Sequence, residues 1–156
     1  MPRRAKVLKR IPKPDPIYKD VTLAKFINNV MTRGKKSLAE SIVYKALDVA
    51  SEKLKKNQLD IFNTALKNAT PLVEVKARRV GGATYQVPSE VKPERGVSLA
   101  MRWIISNARK RNGKSMIEKL SAEFVDAFNG VGASVKKKED THKMAEANRA
   151  FSHYSY

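Results

Sequence analysis

Cysteine is absent from the 156-residue chain, which excludes a disulfide framework and any thiolate metal site. Histidine is nearly absent. His142 and His153 lie eleven positions apart, a spacing that suits neither a helical metal pair nor a zinc-finger pair, so they read as exposed or phosphate-facing side chains. Long apolar runs are missing too: the longest are three residues, such as Trp103-Ile104-Ile105, too short for a membrane span or a signal-peptide core. The basic N-terminus holds three prolines and no helical periodicity, which argues against a transit peptide and leaves a cytoplasmic protein as the expectation. Acids are scarce, 15 Asp and Glu against 32 Lys and Arg, for a formal net charge of +17. A folded domain repels itself at that charge, so a polyanion is needed to offset the excess. Nucleic acid is the commonest such partner and the expected one, with an anionic membrane surface as the main competitor.

The hydrophobic content, 42%, is enough for one core in a single domain. Residues 1–19 read as an extended basic arm. Seven cations oppose Asp15 alone, and the alternating Pro12, Pro14 and Pro16 block helix. Helical periodicity then begins, and residues 20–150 read as one helical domain. Leu23, Phe26, Ile27, Val30 and Met31 share a face, with Asp20 as N-cap and Gly34 ending the run. A capping box at Ser37 and Glu40 opens a second helix, whose stripe runs from Ala39 to Leu54. A third starts after Asn57, buries Leu59, Phe62, Leu66 and Ala69, and stops at Thr70-Pro71.

The β signal lies at 72–88, where two alternating runs flank Gly81-Gly82. With the glycines as the loop, Arg78 faces Tyr85 and Lys76 faces Val87. Pro93 begins a fourth helix striped by Val97, Ala100, Met101, Ile104 and Ala108. Ser115 and Glu118 cap a fifth, with Ile117, Leu120, Phe124 and Phe128 inward. A last helix spans roughly 134–150 with a weak stripe (Thr141, Met144, Ala145, Asn148), and 151–156 reads as a C-terminal tail. The fold class is therefore mainly α: a six-helix bundle with one protruding two-stranded β-hairpin and an extended basic arm.

No residues assemble into a catalytic or metal site, and no cofactor is implied. Gly113-Lys114-Ser115 imitates the end of a phosphate-binding loop, but Ala108 stands where the first glycine should be and the preceding segment is helical. Most carboxylates sit at helix starts or beside lysines, where capping and solubility explain them. The cations are organised instead. Arg33, Lys35 and Lys36 bracket Gly34, and Arg95, Arg102 and Arg109 recur every seven residues on one helix face. Arg109, Lys110, Arg111, Lys114 and Lys119 extend that surface, and Lys136-Lys137-Lys138 open the last helix against its macrodipole. A merely solvated face would intersperse acids. Clusters spread over an arm, loops, a ribbon and helices suit folded RNA better than a straight duplex, with Tyr85, Trp103, Phe151, Tyr154 and Tyr156 as candidates for base stacking. The alternative is a DNA-architectural protein using the hairpin as a groove-binding arm. Such arms carry an apolar wedge at the tip, where this chain has glycines.

Residues 20–46, DVTLAKFINNVMTRGKKSLAESIVYKA, closely resemble the signature of bacterial small-subunit (30S) ribosomal protein seven. PRRAKV near the start, RRVGGATYQVP in the hairpin and KKKEDTHKMAEANRAFSHY near the end are similar to the same family. The resemblance implies a cytoplasmic, non-enzymatic constituent of the ribosome. Such a protein binds 16S rRNA directly and nucleates assembly of the 3′ major (head) domain, near the decoding centre and exit-site tRNA. It further implies contact with small-subunit ribosomal protein eleven, proximity of the hairpin and C-terminus to tRNA and mRNA, a monomer within the ribosome, and translational autorepression by mRNA binding as in some members. Carried onto this chain, the rRNA-binding set is Arg3, Arg4, Lys6, Arg10, Lys35, Lys36, Arg78, Arg79, Arg95, Arg102, Lys114, Lys136 and Lys137. The set near tRNA and mRNA is Gly81, Gly82, Tyr85 and Tyr154.

Overall fold

Asp20 starts the first helix as its sequence position demands. In the computed structural model, which describes residues 12–154, its Oδ1 accepts from the backbone N–H of Thr22 and Leu23. Helix α1 (Val21–Val30) and helix α2 (Lys36–Leu54) follow, then α3 (Gln58–Ala69), capped by the Asn57 side chain on Leu59 N at 2.9 Å. Strands β1 (Val73–Val80) and β2 (Ala83–Glu90) form an antiparallel ribbon. Helices α4 (Pro93–Lys110), α5 (Met116–Phe128) and α6 (Ala133–Ala147) complete the bundle, and a 3-10 helix at Arg149–Tyr154 ends the described chain.

Three boundaries differ from the expectation, each for a local reason. Ser37 and Glu40 form no capping box. Arg33 and Gly34 take left-handed φ values of 53° and 75° and turn the chain early, so α2 begins at Lys36 and Glu40 lies 3.8 Å from the Lys36 ammonium. Gly34 accordingly belongs to this turn, since α1 has already ended at Val30. At the other end, Met144 is about half exposed (49%) and the buried face of α6 is Ser134, Val135, Thr141 and Ala145. Residues 149–154, expected partly as helix and partly as tail, instead wind into the 3-10 helix against β2.

Helix α5 lies at the centre, packed on α2, α3, α4 and α6. Its Phe124 meets Phe26 of α1 and Phe62 of α3 in a triangle of fully buried rings, with centroids 5.3 to 6.1 Å apart in tilted and edge-on geometry. Each such ring buries 150–250 Å² of surface, so this triangle is a large share of what holds the bundle together. Residues 15–19, read above as part of the arm, turn back on the bundle. Asp15 is buried (3% exposed), and its carboxylate accepts from Ile17 N, Tyr18 N and, at 2.5 Å, the Tyr44 hydroxyl of α2. Burial, with donation to Asp15, raises the Tyr44 phenol pKa well above its ordinary value.

Gly96 sits in the first turns of α4 with ordinary helical backbone, yet a Cβ there would lie 2.9 Å from Thr70 Cγ2 and 3.2 Å from the Pro71 carbonyl oxygen. Helix propensity alone favours Gly96→Ala by about 1 kcal/mol. The clash with the Thr70 methyl, whose side chain is held by its hydroxyl's bond to Leu66 O, and with the Pro71 carbonyl costs about 1–3 kcal/mol, so the variant is expected to be net destabilised in urea unfolding. An unchanged or raised midpoint would show that the α3–β1 connection can yield.

Candidate nucleic-acid interface

The ribbon has the register anticipated from its glycines: Arg78 pairs with Tyr85 and Lys76 with Val87. Gly81 and Gly82 take φ values of 57° and 89°, the left-handed backbone of a tight hairpin loop, with open space around them. From Lys76 to Thr84 every residue is exposed, so the distal ribbon projects while its base is held.

Two devices hold it. Glu74, nearly buried, accepts three hydrogen bonds at 2.9–3.0 Å from the Arg95 guanidinium of α4, and Lys76 Nζ lies 3.3 Å away. Hydrogen bonding from Arg95 is the main cause that holds the Glu74 carboxyl below its usual range, against desolvation by burial. On the other side, the 3-10 helix stacks Tyr154 on Tyr85 (centroids 5.1 Å) with Phe151 at 5.3 Å, while Arg78 Nη1 donates to the Tyr154 carbonyl at 3.0 Å. Because the Glu74 pKa is depressed in the fold, its contribution is fully present above the unfolded carboxylate value near 4.3 and is lost as pH falls through the native value. Protection of ribbon-base amides in hydrogen exchange is therefore expected to fall below about pH 4, and Glu74→Gln should abolish that dependence. A profile unchanged by Glu74→Gln would assign the dependence to another group.

Arg102 and Arg109 are exposed on α4 and line, with Asn29 of α1 and Ser98 and Ser106 of α4, a cleft of about 250 Å³. Two guanidiniums, two hydroxyls and an amide are the chemistry of a phosphate seat. One Arg109 amino group also donates to Val30 O at 3.3 Å, closing the C-terminal end of α1. Lys35 and Lys36 are exposed at the α1–α2 turn, Lys114 in the α4–α5 loop, Lys136 and Lys137 on the first turns of α6, and Arg79 on the distal ribbon. Arg3, Arg4, Lys6 and Arg10 lie outside the described residues. The structure thus brings Arg102 to Arg109, and Arg78 to Tyr85 and Tyr154. Arg95, which shares the seven-residue recurrence, is turned onto Glu74.

Sequence reasoning missed three acids. Glu74, Glu123 and Asp15 are buried and each organises a junction, although carboxylates were assigned to capping and solubility. The usable signal for Glu74 was its position as the lone acid in a basic strand. Glu123, fully buried on α5, accepts from Arg111 Nε at 2.6 Å, from Ser134 N at 3.1 Å and from the Ser134 hydroxyl, while Arg111 also bonds Asp126. Burial is the largest influence on the Arg111 guanidinium and lowers its pKa; its bonds to Asp126 and Glu123 outweigh that, for a net rise. Glu123 also places an anion at the N-terminus of α6, where Lys136-Lys137-Lys138 oppose the dipole. His142, expected exposed or facing phosphate, is half-buried. Its Nε2 accepts from Leu72 N at 3.0 Å.

Among the described residues there is no cluster of three or more His, Asp or Glu able to hold a metal ion, and no helix long and apolar enough to cross a membrane. A helical bundle with a projecting ribbon and separate cationic surfaces defines a polyanion-binding structural protein. The comparisons make that specific. Residues 2–149 match the family model for ribosomal protein S7p/S5e. Small ribosomal subunit protein uS7 of Chloroflexus aggregans is 64% identical over 154 residues, and that of Roseiflexus castenholzii 62%, each across 99% of this chain and 98% of the relative. The same protein of Carboxydothermus hydrogenoformans is 60% identical over the whole of both chains. The chain belongs to the ribosomal protein S7p/S5e family: it is a structural component of the small ribosomal subunit, working in the cytoplasmic ribosome, and not an enzyme.

Proposed function

We propose that the chain binds 16S rRNA directly, nucleates assembly of the head domain, and holds its ribbon near the decoding centre and exit-site tRNA. The observation that carries this reading is the α1–α4 cleft, where Arg102 and Arg109 face solvent beside the polar side chains of Asn29, Ser98 and Ser106. Around it, Lys35, Lys36, Lys114, Lys136 and Lys137 supply further exposed cations, and the arm residues Arg3, Arg4, Lys6 and Arg10 add charge from the sequence. Arg78 and Arg79 act from the ribbon. Arg95 acts through Glu74, by aiming the ribbon. Gly81, Gly82, Tyr85 and Tyr154 form the part that meets tRNA and mRNA, with small-subunit ribosomal protein eleven as a protein neighbour and mRNA binding as the route to autorepression. The supporting geometry is a thin tip on a stiffened base, suited to a crowded RNA site.

Salt-titrated binding of the full chain to 16S head-domain RNA and to a matched DNA duplex tests the reading. With about six to ten phosphate contacts, RNA affinity is expected to fall roughly 10³–10⁵-fold between 50 and 200 mM salt. Equal affinity for both ligands would sink it, and preference for bent duplex DNA would favour an architectural role.

A further inference from the structure

We propose that the groove between the ribbon base, α6 and the 3-10 helix takes an unpaired guanine base of RNA, a site that rests on the RNA-binding reading above and makes it base-selective. The groove has a volume of about 630 Å³, within the range of small-ligand pockets. Val73, Pro88 and Ala145 give it apolar walls on which a flat ring can lie. Ser89 also lines it, and its Oγ, alone among the buried side-chain polar atoms of the described residues, has no hydrogen-bond partner. A buried hydroxyl left unbonded costs free energy, which rotation about the Ser89 Cα–Cβ bond toward a ligand in the groove would recover.

The charge of the rim selects the ligand class. Glu90 and Glu146 line the groove with Arg149 as its one Lys or Arg, in a chain where Lys and Arg outnumber acids more than twofold. His142 turns its Nε2 to the backbone, where it accepts from Leu72 N. Two carboxylates repel a phosphate, so this is not another phosphate seat. Arg149 and the apolar walls disfavour a cationic side chain. A guest that donates from one edge and accepts on another, on an uncharged flat ring, fits both signs at once. Guanine does this: its N1–H and N2–H₂ donate to a carboxylate, and its O6 and N7 accept from a guanidinium. Adenine presents an acceptor at N1 where guanine donates, and uracil has no second donor.

The test uses the full chain and ten-nucleotide single strands: all uridine, or uridine with one central guanosine or adenosine. The guanosine strand is expected to bind about tenfold more tightly than the other two, a difference typical of one well-formed bidentate base contact. The Glu90→Gln/Glu146→Gln variant should erase that preference while leaving affinity for the uridine strand, because phosphate contacts lie elsewhere. Arg149→Ala, at an exposed position, should reduce the preference too and serves if the double variant does not fold. Equal, salt-dependent binding of all three strands overturns the base site and leaves the RNA reading standing. Absence of salt-dependent binding to all three strands and to 16S head-domain RNA overturns both. Chemical shifts at Val73 and Ala145 induced by N-acetyl-arginine amide but not by guanosine would assign the groove to a cationic protein neighbour, and overturn the proposal.

Discussion

Arg111→Ala is expected to destabilise the fold by about 3 kcal/mol, lowering the thermal midpoint by roughly 10 °C for a chain of this size. The cause is the carboxylate it leaves behind. Glu123 is fully buried, and Arg111 is its one cationic partner among the described residues; the remaining donors come from Ser134 alone. The same guanidinium reaches Asp126, so the variant also cuts the tie between the end of α4 and α5, and loosens the entry to α6 that Glu123 caps. The figure is set at the low end for a broken buried pair because the Arg111 side chain is 27% exposed and water can reach part of the gap. Arg111→Met with Glu123→Gln separates the pair's worth from the penalty of orphaning one member. Glutamine keeps an oxygen for Ser134 and carries no charge, so at least half of the lost stability should return. A midpoint within 2 °C of the parent for Arg111→Ala, by calorimetry, would show that Glu123 does not depend on it.

Arg111 illustrates where sequence and structure part. It stands in a run, Arg109-Lys110-Arg111, that reads as continuous RNA-facing charge. Arg109 and Lys110 are exposed, while Arg111 lies past the end of α4 and turns inward to acids 12 and 15 residues on. No local pattern marks that difference, because it depends on where α5 arrives. The six helices and the ribbon register were legible since each rests on local rules: apolar spacing, an Asp or Asn cap, a two-glycine loop. The capping box at Ser37 failed because left-handed backbone at Arg33 and Gly34 started α2 first. The 3-10 helix was invisible because its reason for ordering is Tyr85, some seventy residues earlier. The basic surfaces were legible as a set, and their individual duties were not.

Arg102 and Arg109 replaced together by alanine should reduce the slope of log affinity against log salt for head-domain RNA by about 1.5, which corresponds to about 30-fold weaker binding at 0.1 M salt. Both side chains are exposed and neither pairs with an acid among the described residues, so their charge is available to phosphate, whereas Arg95 on the same recurrence is committed to Glu74. Arg95→Ala is accordingly expected to leave the salt slope unchanged and to lower hydrogen-exchange protection at the ribbon base. The double variant should leave that protection intact and the thermal midpoint near that of the parent, since the main structural bond it loses is the one from Arg109 to Val30 O. The contrast is the informative part. Both substitutions remove cations from one helix face, and a simple loss of net charge would make them act alike. If Arg95→Ala reduces the slope as much per charge as the cleft pair does, the ion pair opens on binding and all three arginines meet RNA. If the slope holds for Arg95 and falls for the pair, α4 divides its arginines between aiming the ribbon and gripping the RNA.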